Sequence, residues 1–149
     1  MIRQFQSEDA SSCCALIRGC VESDTSYSPA LLRKMRVSET PEAMAERATL
    51  YYLAVYEEDG RILGVAGLDM NEIRLLYVST GHQGRGIGRS LVEHLKGMVP
   101  HMLFTDIFVY STKRAVPFYR ACGFIDKGPF TLDWEGEPLE TVFMAFPLP

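Results

Sequence analysis

A glycine-rich turn is the segment whose residue types point most directly to chemistry. It runs His82-Gln83-Gly84-Arg85-Gly86-Ile87-Gly88-Arg89-Ser90. Its alternating glycines can adopt positive φ and let the backbone approach a ligand without interference from a Cβ atom. If a helix begins here, its free N–H groups and its dipole form an anion site, to which Arg85 and Arg89 add positive charge. The turn therefore predicts a pyrophosphate-bearing ligand, with a merely tight strand–helix turn as the alternative.

Two other phosphate motifs do not fit this turn. A dinucleotide-binding fingerprint requires G-x-G-x-x-G, but its last position here is Arg89 or Leu91, depending on where the motif is started. A Walker loop requires G-K-[ST], and residues 82–90 contain no lysine.

The elements on either side position the turn. Residues 72–78 are predicted to form a strand before it, and apolar residues at helical spacing predict a helix from Gly86 to Pro100. The other predicted strands are 2–6, 50–57, 62–68, 103–110, 124–130 and 139–146, and the other predicted helices are 10–20, 28–35, 40–49 and 113–121. This order predicts one α/β domain over residues 1–149, with helices covering a central sheet.

Two segments resemble known family motifs. Gln83-x-x-Gly86-x-Gly88, after Leu75-Leu76-Tyr77-Val78, resembles the signature motif of the GCN5-related N-acetyltransferase (GNAT) superfamily. Ala115-Val116-Pro117-Phe118-Tyr119-Arg120-Ala121-Cys122-Gly123-Phe124 is similar to that family's second motif. The resemblance covers nearly the whole chain. It implies a mixed α+β sheet that is mostly antiparallel, with one splayed parallel strand pair and helices on both faces.

The resemblance also implies a co-substrate, acetyl-coenzyme A, in the splayed gap. Its pantetheine would pair with the backbone of Leu76, Tyr77 and Val78, and the N–H group near Val78 would be the oxyanion donor. Thr112 stands where family members often carry an asparagine that contacts the cofactor, and its hydroxyl can still donate a hydrogen bond. The residues that would meet the pyrophosphate or close the first helical turn are Gln83, Gly84, Arg85, Gly86, Ile87, Gly88, Arg89 and Ser90.

Two side chains take catalytic roles by the same resemblance. Tyr119 would be the general acid for the leaving thiolate, with a packed helix tyrosine as the alternative. Glu72 would draw the proton from the amine through water, with an exposed charge at a strand start as the alternative. On a regular strand Glu72 shares a face with Val78, unless a bulge intervenes. Asp69 and Asp106 are weaker alternatives for the base.

Composition excludes several other classes. The net charge of −4 argues against nucleic acid as the main partner. The first ten residues do not resemble a signal peptide, and no apolar run approaches the roughly 20 residues that span a bilayer, so we expect a cytoplasmic chain without a membrane partner. The four cysteines form no C-x-x-C pair and the three histidines are scattered, so no metal site is expected.

The predicted function is acetyl transfer from acetyl-coenzyme A to a primary amine by direct attack in a ternary complex. The amine could belong to a small molecule, a protein amino terminus or a lysine, and a homodimer is compatible with this reading. The resemblance places the acceptor site at residues 21–48 and 133–137, where the acidic side chains are Glu22, Asp24, Glu135 and Glu137. The alternatives are a non-catalytic acyl-coenzyme A sensor and an enzyme that uses a longer acyl donor.

Overall fold

The computed structural model describes residues 1–149 as seven strands and five α-helices. The strands are β1 (Ile2–Gln4), β2 (Tyr52–Glu58), β3 (Arg61–Asp69), β4 (Glu72–Val78), β5 (Asp106–Thr112), β6 (Ile125–Trp134) and β7 (Glu137–Pro147). The helices are α1 (Ala10–Ser23), α2 (Pro29–Ser38), α3 (Pro41–Leu50), α4 (Ile87–Met98) and α5 (Val116–Ala121). Short 3₁₀ turns cover Ser7–Asp9, Thr80–His82 and Lys113–Ala115. No helix is both long and apolar enough to cross a membrane.

All seven strands form one sheet, in the order β1-β2-β3-β4-β5-β7-β6. Every neighbouring pair is antiparallel except β4 and β5, which are parallel. The mostly antiparallel mixed sheet that the family resemblance implied is therefore confirmed.

The parallel pair separates almost as soon as it forms. Glu72 opposite Phe108 is the single register position at which β4 and β5 pair. Beyond it β4 continues to pair with β3, and β5 pairs with β7 along its full length. The result is a wedge-shaped gap in the middle of the sheet, closed at the Glu72 end and open toward Val78.

A bulge in β4 changes which side chains share a face. The register passes from Gly67 opposite Leu75 to Leu68 opposite Ile73, which leaves Arg74 as the extra residue. Ile73 and Val78 therefore pack in the same core, although five positions separate them. Glu72, next to Ile73, faces the other side of the sheet. The expectation that Glu72 and Val78 share a face, which required a regular strand, is corrected.

The sheet carries a hydrophobic core on each face. One core is built on α4 and α5, with Leu91 and Leu95 fully buried. The other is built on α1, α2 and α3, with Leu31 and Met44 fully buried. Helices thus cover both faces, and the gap between β4 and β5 connects the two layers.

Proline and hydroxyl residues set the starts of α2 and α3, as predicted. Pro29 and Pro41 occupy a first helical position, where the missing N–H costs nothing. The Ser28 hydroxyl accepts from Leu31 N at 3.1 Å, and the Thr40 hydroxyl caps α3 in the same way.

Other boundaries differ from the sequence prediction. The predicted strand 103–110 begins only at Asp106, because Leu103 N donates to Pro100 O in a turn that follows α4. The predicted helix 113–121 is divided into a 3₁₀ turn and α5. The β6–β7 hairpin is longer than expected, since Glu135 and Gly136, with φ of 48° and 88°, close it as a two-residue turn.

Candidate functional site

A cavity of about 630 Å³ lies where β4 and β5 diverge. Its wall contains residues of both sequence motifs, of α1, of α2 and of the β6–β7 hairpin. The predicted site residues that line it are Leu76, Tyr77, Val78, Gln83, Gly84, Gly86, Ile87, Gly88, Arg89, Thr112 and Tyr119. The structure thus brings the strand, the glycine turn and the α5 motif together around one space.

Three predicted residues do not line this cavity. The Arg85 guanidinium instead donates to the Glu58 carboxylate, with N···O distances of 3.1 and 3.2 Å. Ser90 is exposed on the first turn of α4, and Glu72 lies at the closed end of the gap. The side chain of Arg85 is therefore held away from the place predicted for a pyrophosphate.

The glycine turn has the geometry of an anion site. Gly84 and Gly86 have φ of 79° and 85°, a region that favours glycine, and a Cβ atom at either position would meet no protein atom within 4 Å. The helix begins with the hydrogen bond from Ser90 N to Gly86 O at 3.0 Å. The N–H groups between these residues therefore have no partner within the helix and remain available to a ligand.

Gly88 is required for a different reason. A Cβ atom there would lie 2.9 Å from the ring of Phe118, so this glycine allows α4 and α5 to pack closely. Only two of the three glycines thus serve the approach of a ligand to the backbone.

Alternate residues of β4 direct their backbone N–H and C=O groups toward β3 or toward the gap. Ser79 N donates to Leu63 O at 2.8 Å, and alternate residues of an antiparallel ladder bond in the same direction. Tyr77 therefore directs its backbone groups toward β3, whereas those of Leu76 and Val78 point into the gap. The prediction that the Tyr77 backbone pairs with the cofactor is corrected, although the Tyr77 side chain lines the cavity.

The Val78 carbonyl is already occupied by side chains. It accepts from Gln83 Nε2 and from Cys20 Sγ, each at 3.1 Å. Burial raises the pKa of Cys20 to about 11, so the thiol stays protonated and acts as a donor. The Val78 N–H is left facing the gap. Sequence reasoning missed Cys20, whose partner lies 58 positions away in the chain.

Tyr119 is buried against aromatic neighbours. Its ring packs edge-on against Phe118 and Phe124, with centroid distances of 5.1 and 5.4 Å. Burial raises the pKa of its phenol well above the ordinary value, which keeps the hydroxyl protonated near neutrality. Tyr119 thus lines the cavity with its phenol protonated.

The carboxylates predicted as bases gather at the closed end of the gap. Arg74 Nη1 lies 3.6 Å from the Asp69 carboxylate and 3.7 Å from that of Glu72, while Asp106 accepts from Asn71 Nδ2 at 3.0 Å. Burial raises the pKa of Glu72, an effect that Arg74 partly offsets. None of these three carboxylates lines the cavity.

Asp24 is the carboxylate that does line the cavity. It follows the last residue of α1, and its Oδ1 accepts from Ser26 N at 2.8 Å. Arg114, another lining residue, donates to the carbonyl of Ser23 beside it. The sequence named Asp24 only as one of four acidic candidates and did not suggest Arg114.

The part of the cavity next to the β6–β7 hairpin is lined by apolar side chains and is here called the hairpin end. Its members are Tyr27, Leu31, Met35, Leu132, Trp134 and Leu139. The indole N–H of Trp134 is buried without a hydrogen-bond partner, a state that costs about 1–3 kcal/mol. Tyr27, Leu31, Met35 and Trp134 fall within residues 21–48 and 133–137, where the family resemblance placed the acceptor site. The alternation of Leu132 and Trp134 along β6 was not recognised, because the strand was predicted to end at residue 130.

No three His, Cys, Asp or Glu side chains come together as a group that could hold a metal ion. The charged side chains of the cavity wall are Asp24, Arg74, Arg89 and Arg114.

The chain belongs to the GNAT acetyltransferase family. The model of the acetyltransferase (GNAT) domain matches residues 23–133, which include both motifs and most of the cavity wall. The family resemblance inferred from the sequence is thereby confirmed.

Individual proteins are similar to this chain in sequence or in fold. Peptidyl-lysine N-acetyltransferase YjaB of Escherichia coli K12 is 30% identical over 95 residues, which are 64% of this chain and 63% of YjaB. A GCN5-related N-acetyltransferase from Rhodopseudomonas palustris superposes with a TM-score of 0.90 at 23% identity, covering 99% of this chain and 95% of that one. YncA of Salmonella typhimurium, solved with its cofactor acetyl-coenzyme A, gives a TM-score of 0.73 at 19% identity, with 100% and 94% covered.

Proposed function

We propose that this protein transfers the acetyl group of acetyl-coenzyme A to a primary amine. The observation that carries the proposal is the continuity of the open β4–β5 gap with the left-handed glycine turn at the start of α4. An extended ligand with a phosphate group at one end fits this path, because strand backbone and helix N–H groups follow one another along it. The acetyl-coenzyme A bound to the structural relative YncA supports this assignment.

Backbone groups would hold the ligand along its length. Leu76 directs its backbone groups into the gap and Val78 directs its N–H there, where a pantetheine arm can pair with them. The N–H groups around Gly84 and Gly86 would meet the pyrophosphate. Arg89, which lines the cavity at the first turn of α4, adds positive charge.

Two hydrogen-bond donors, the Val78 N–H and the Tyr119 hydroxyl, would assist the acetyl transfer. When bound, acetyl-coenzyme A supplies a thioester whose carbonyl carbon is attacked by the amine. The Val78 N–H stabilises the negative charge that develops on the carbonyl oxygen, and such a donor is typically worth about 3 kcal/mol. Tyr119 donates to the sulfur as the carbon–sulfur bond breaks, and the products are an amide and coenzyme A.

The raised pKa of Tyr119 refines its role. A thiol titrates near about 8.5, so complete proton transfer from a less acidic phenol to the thiolate is uphill. We therefore assign Tyr119 to hydrogen bonding that stabilises the departing thiolate. The proton that finally resides on sulfur then comes from the attacking amine.

The amine must lose a proton before it attacks. Asp24 lines the cavity, so we assign it to hold the incoming ammonium group. Glu72 stays a predicted base that acts through water. Its path would pass Arg74, which lines the cavity and lies 3.7 Å from the Glu72 carboxylate.

A second candidate acceptor is a lysine side chain in a polypeptide, which the similarity to YjaB favours. A non-catalytic acyl-coenzyme A sensor is the alternative from another class. It would retain the glycine turn, but it would have no use for Tyr119 in the cavity wall.

A panel of amines with acetyl-coenzyme A tests the proposal. Free thiol should appear at a rate that depends on the amine, and mass spectrometry should detect the acetylated amine in equal amount. If acetyl-coenzyme A raises the melting temperature while no amine accelerates thiol release, the sensor is correct and the enzyme proposal is wrong.

A further inference from the structure

The wall of the hairpin end is almost entirely carbon. Leu132 and Leu139 lie directly opposite each other on β6 and β7, and Trp134 follows two positions later on the same face. Across from them stand Tyr27 and Leu31, both buried. Such a wall excludes water and favours an apolar group, since little here can hydrogen-bond a polar chain.

The cavity has one acidic side chain. Asp24 is the one carboxylate among the 32 residues that line it, and the arginines of the lining are Arg74, Arg89 and Arg114. Asp24 lies close along the chain to the Tyr27 ring, and a carboxylate combined with aromatic faces is a setting that binds an ammonium group. One ammonium group attached to an apolar skeleton would therefore find a single carboxylate partner, Asp24, beside the apolar wall.

The β6–β7 hairpin is attached to α2 beside this end of the cavity. The Lys34 ammonium, on α2, donates to the carbonyl of Glu135 at the hairpin tip. Trp134 and Leu139 also pack against the core that contains α2. A polypeptide acceptor requires polar partners for its backbone, and this apolar wall offers few of them, whereas it fits the skeleton of a small molecule.

We propose that the acceptor is a small primary amine with an aromatic or branched apolar skeleton, and that a lysine within a polypeptide is a poor acceptor. This inference rests on the proposed function and names the substrate class of the same site. The skeleton would lie between Leu31 and the Leu132–Leu139 pair, with its ammonium group toward Asp24.

The single tryptophan of the chain gives a direct readout without catalysis. Trp134 lies in the hairpin end, so its emission, excited where tyrosine absorbs little, reports on this site. The protein saturated with coenzyme A, which cannot donate acetyl, is titrated with 2-phenylethylamine and separately with Nα-acetyl-lysine amide and a lysine-containing peptide. The aromatic amine should give a saturable change at a concentration at least about tenfold lower than either lysine compound.

A matched pair of variants locates the site. Leu132→Ala should weaken the binding of 2-phenylethylamine about tenfold. Leu103→Ala, which removes an exposed leucine outside the cavity, should leave the titration unchanged.

The rise in melting temperature caused by coenzyme A is measured in every sample. Tighter binding of the lysine compounds, or no response to apolar amines while coenzyme A still raises the melting temperature, would overturn this inference alone. Loss of the coenzyme A response itself would overturn the proposed function.

Discussion

The two ends of the cavity are built by different means. At the glycine-turn end, the ligand-facing groups are backbone N–H groups that Gly84 and Gly86 expose through positive φ. At the hairpin end, the surface consists of side chains from Tyr27, α2, β6 and β7, and about a hundred residues of the chain separate α2 from β6. The first end depends on a local backbone conformation, and the second depends on how distant elements pack.

This difference explains why one end could be predicted from the sequence. A backbone site needs glycines at fixed spacing, which leaves a contiguous motif. A side-chain site needs only apolar residues of suitable size, which resemble those of any core. A single substitution of a glycine should therefore abolish ligand binding at the glycine-turn end. At the hairpin end, each single substitution should weaken ligand binding only in part.

The largest effect is expected at Gly86. Gly86→Val forces a β-branched residue to φ near 85° and places its side chain in the space left for phosphate. The rise in melting temperature caused by acetyl-coenzyme A should disappear. Gly81→Val is the matched control, because Gly81 has open space around it and no positive φ, and it should keep most of the response. Equal responses in the two variants would remove the glycine turn from the binding site.

Tyr119 should give the next largest effect. Tyr119→Phe retains the packing against Phe118 and Phe124 and removes only the hydroxyl, so stability and coenzyme A binding should change little. Turnover should fall by roughly two orders of magnitude if the hydroxyl stabilises the leaving thiolate. Tyr56→Phe, on a half-buried tyrosine outside the cavity, serves as the control. A single-turnover rate that is the same in both variants would contradict the assigned role.

Asp24 should give an intermediate effect that appears in KM. Asp24→Asn removes the charge that would hold the ammonium group, so KM for the amine should rise about tenfold, whereas kcat should change less. The control is Asp133→Asn, an exposed acid on the hairpin that does not line the cavity. A KM that is unaffected by Asp24→Asn would mean that the amine binds elsewhere.

Glu72 should give the smallest effect on activity. Because its carboxylate does not line the cavity and would act only through water, Glu72→Gln should lower kcat/KM near neutrality only modestly, by about threefold, and the loss should recover at high pH, where the amine arrives deprotonated. An unchanged kcat/KM at every pH would remove Glu72 as the base, and an equal loss at every pH would indicate a role in binding or positioning.

Glu72 also has a predicted signature in stability. Burial raises its pKa in the folded state, so the folded protein holds this proton more tightly than the unfolded chain does. Glu72 therefore destabilises the fold increasingly as pH rises through the window above about 4.3, the ordinary glutamate value. Across that window, the melting temperature of Glu72→Gln should rise relative to the wild type. A constant difference at every pH would contradict the raised pKa.

The sequence predicted the order of the elements and the glycine turn because each has a local signal. Ser28-Pro29 and Thr40-Pro41 mark helix starts, and Gln83 to Gly88 forms a contiguous motif. It did not predict the bulge at Arg74, which depends on the register with β3 and places Glu72 on the face opposite Val78. Nor did it predict the contact of Cys20 with the Val78 carbonyl, which only the packing of α1 on the sheet creates.

If the gap and the glycine turn form one site for acetyl-coenzyme A, a calorimetric titration of the wild-type chain with acetyl-coenzyme A should saturate at one molecule per chain. Free coenzyme A should compete, because it carries the same pyrophosphate and pantetheine. The absence of saturable binding at millimolar concentration would contradict the existence of this site.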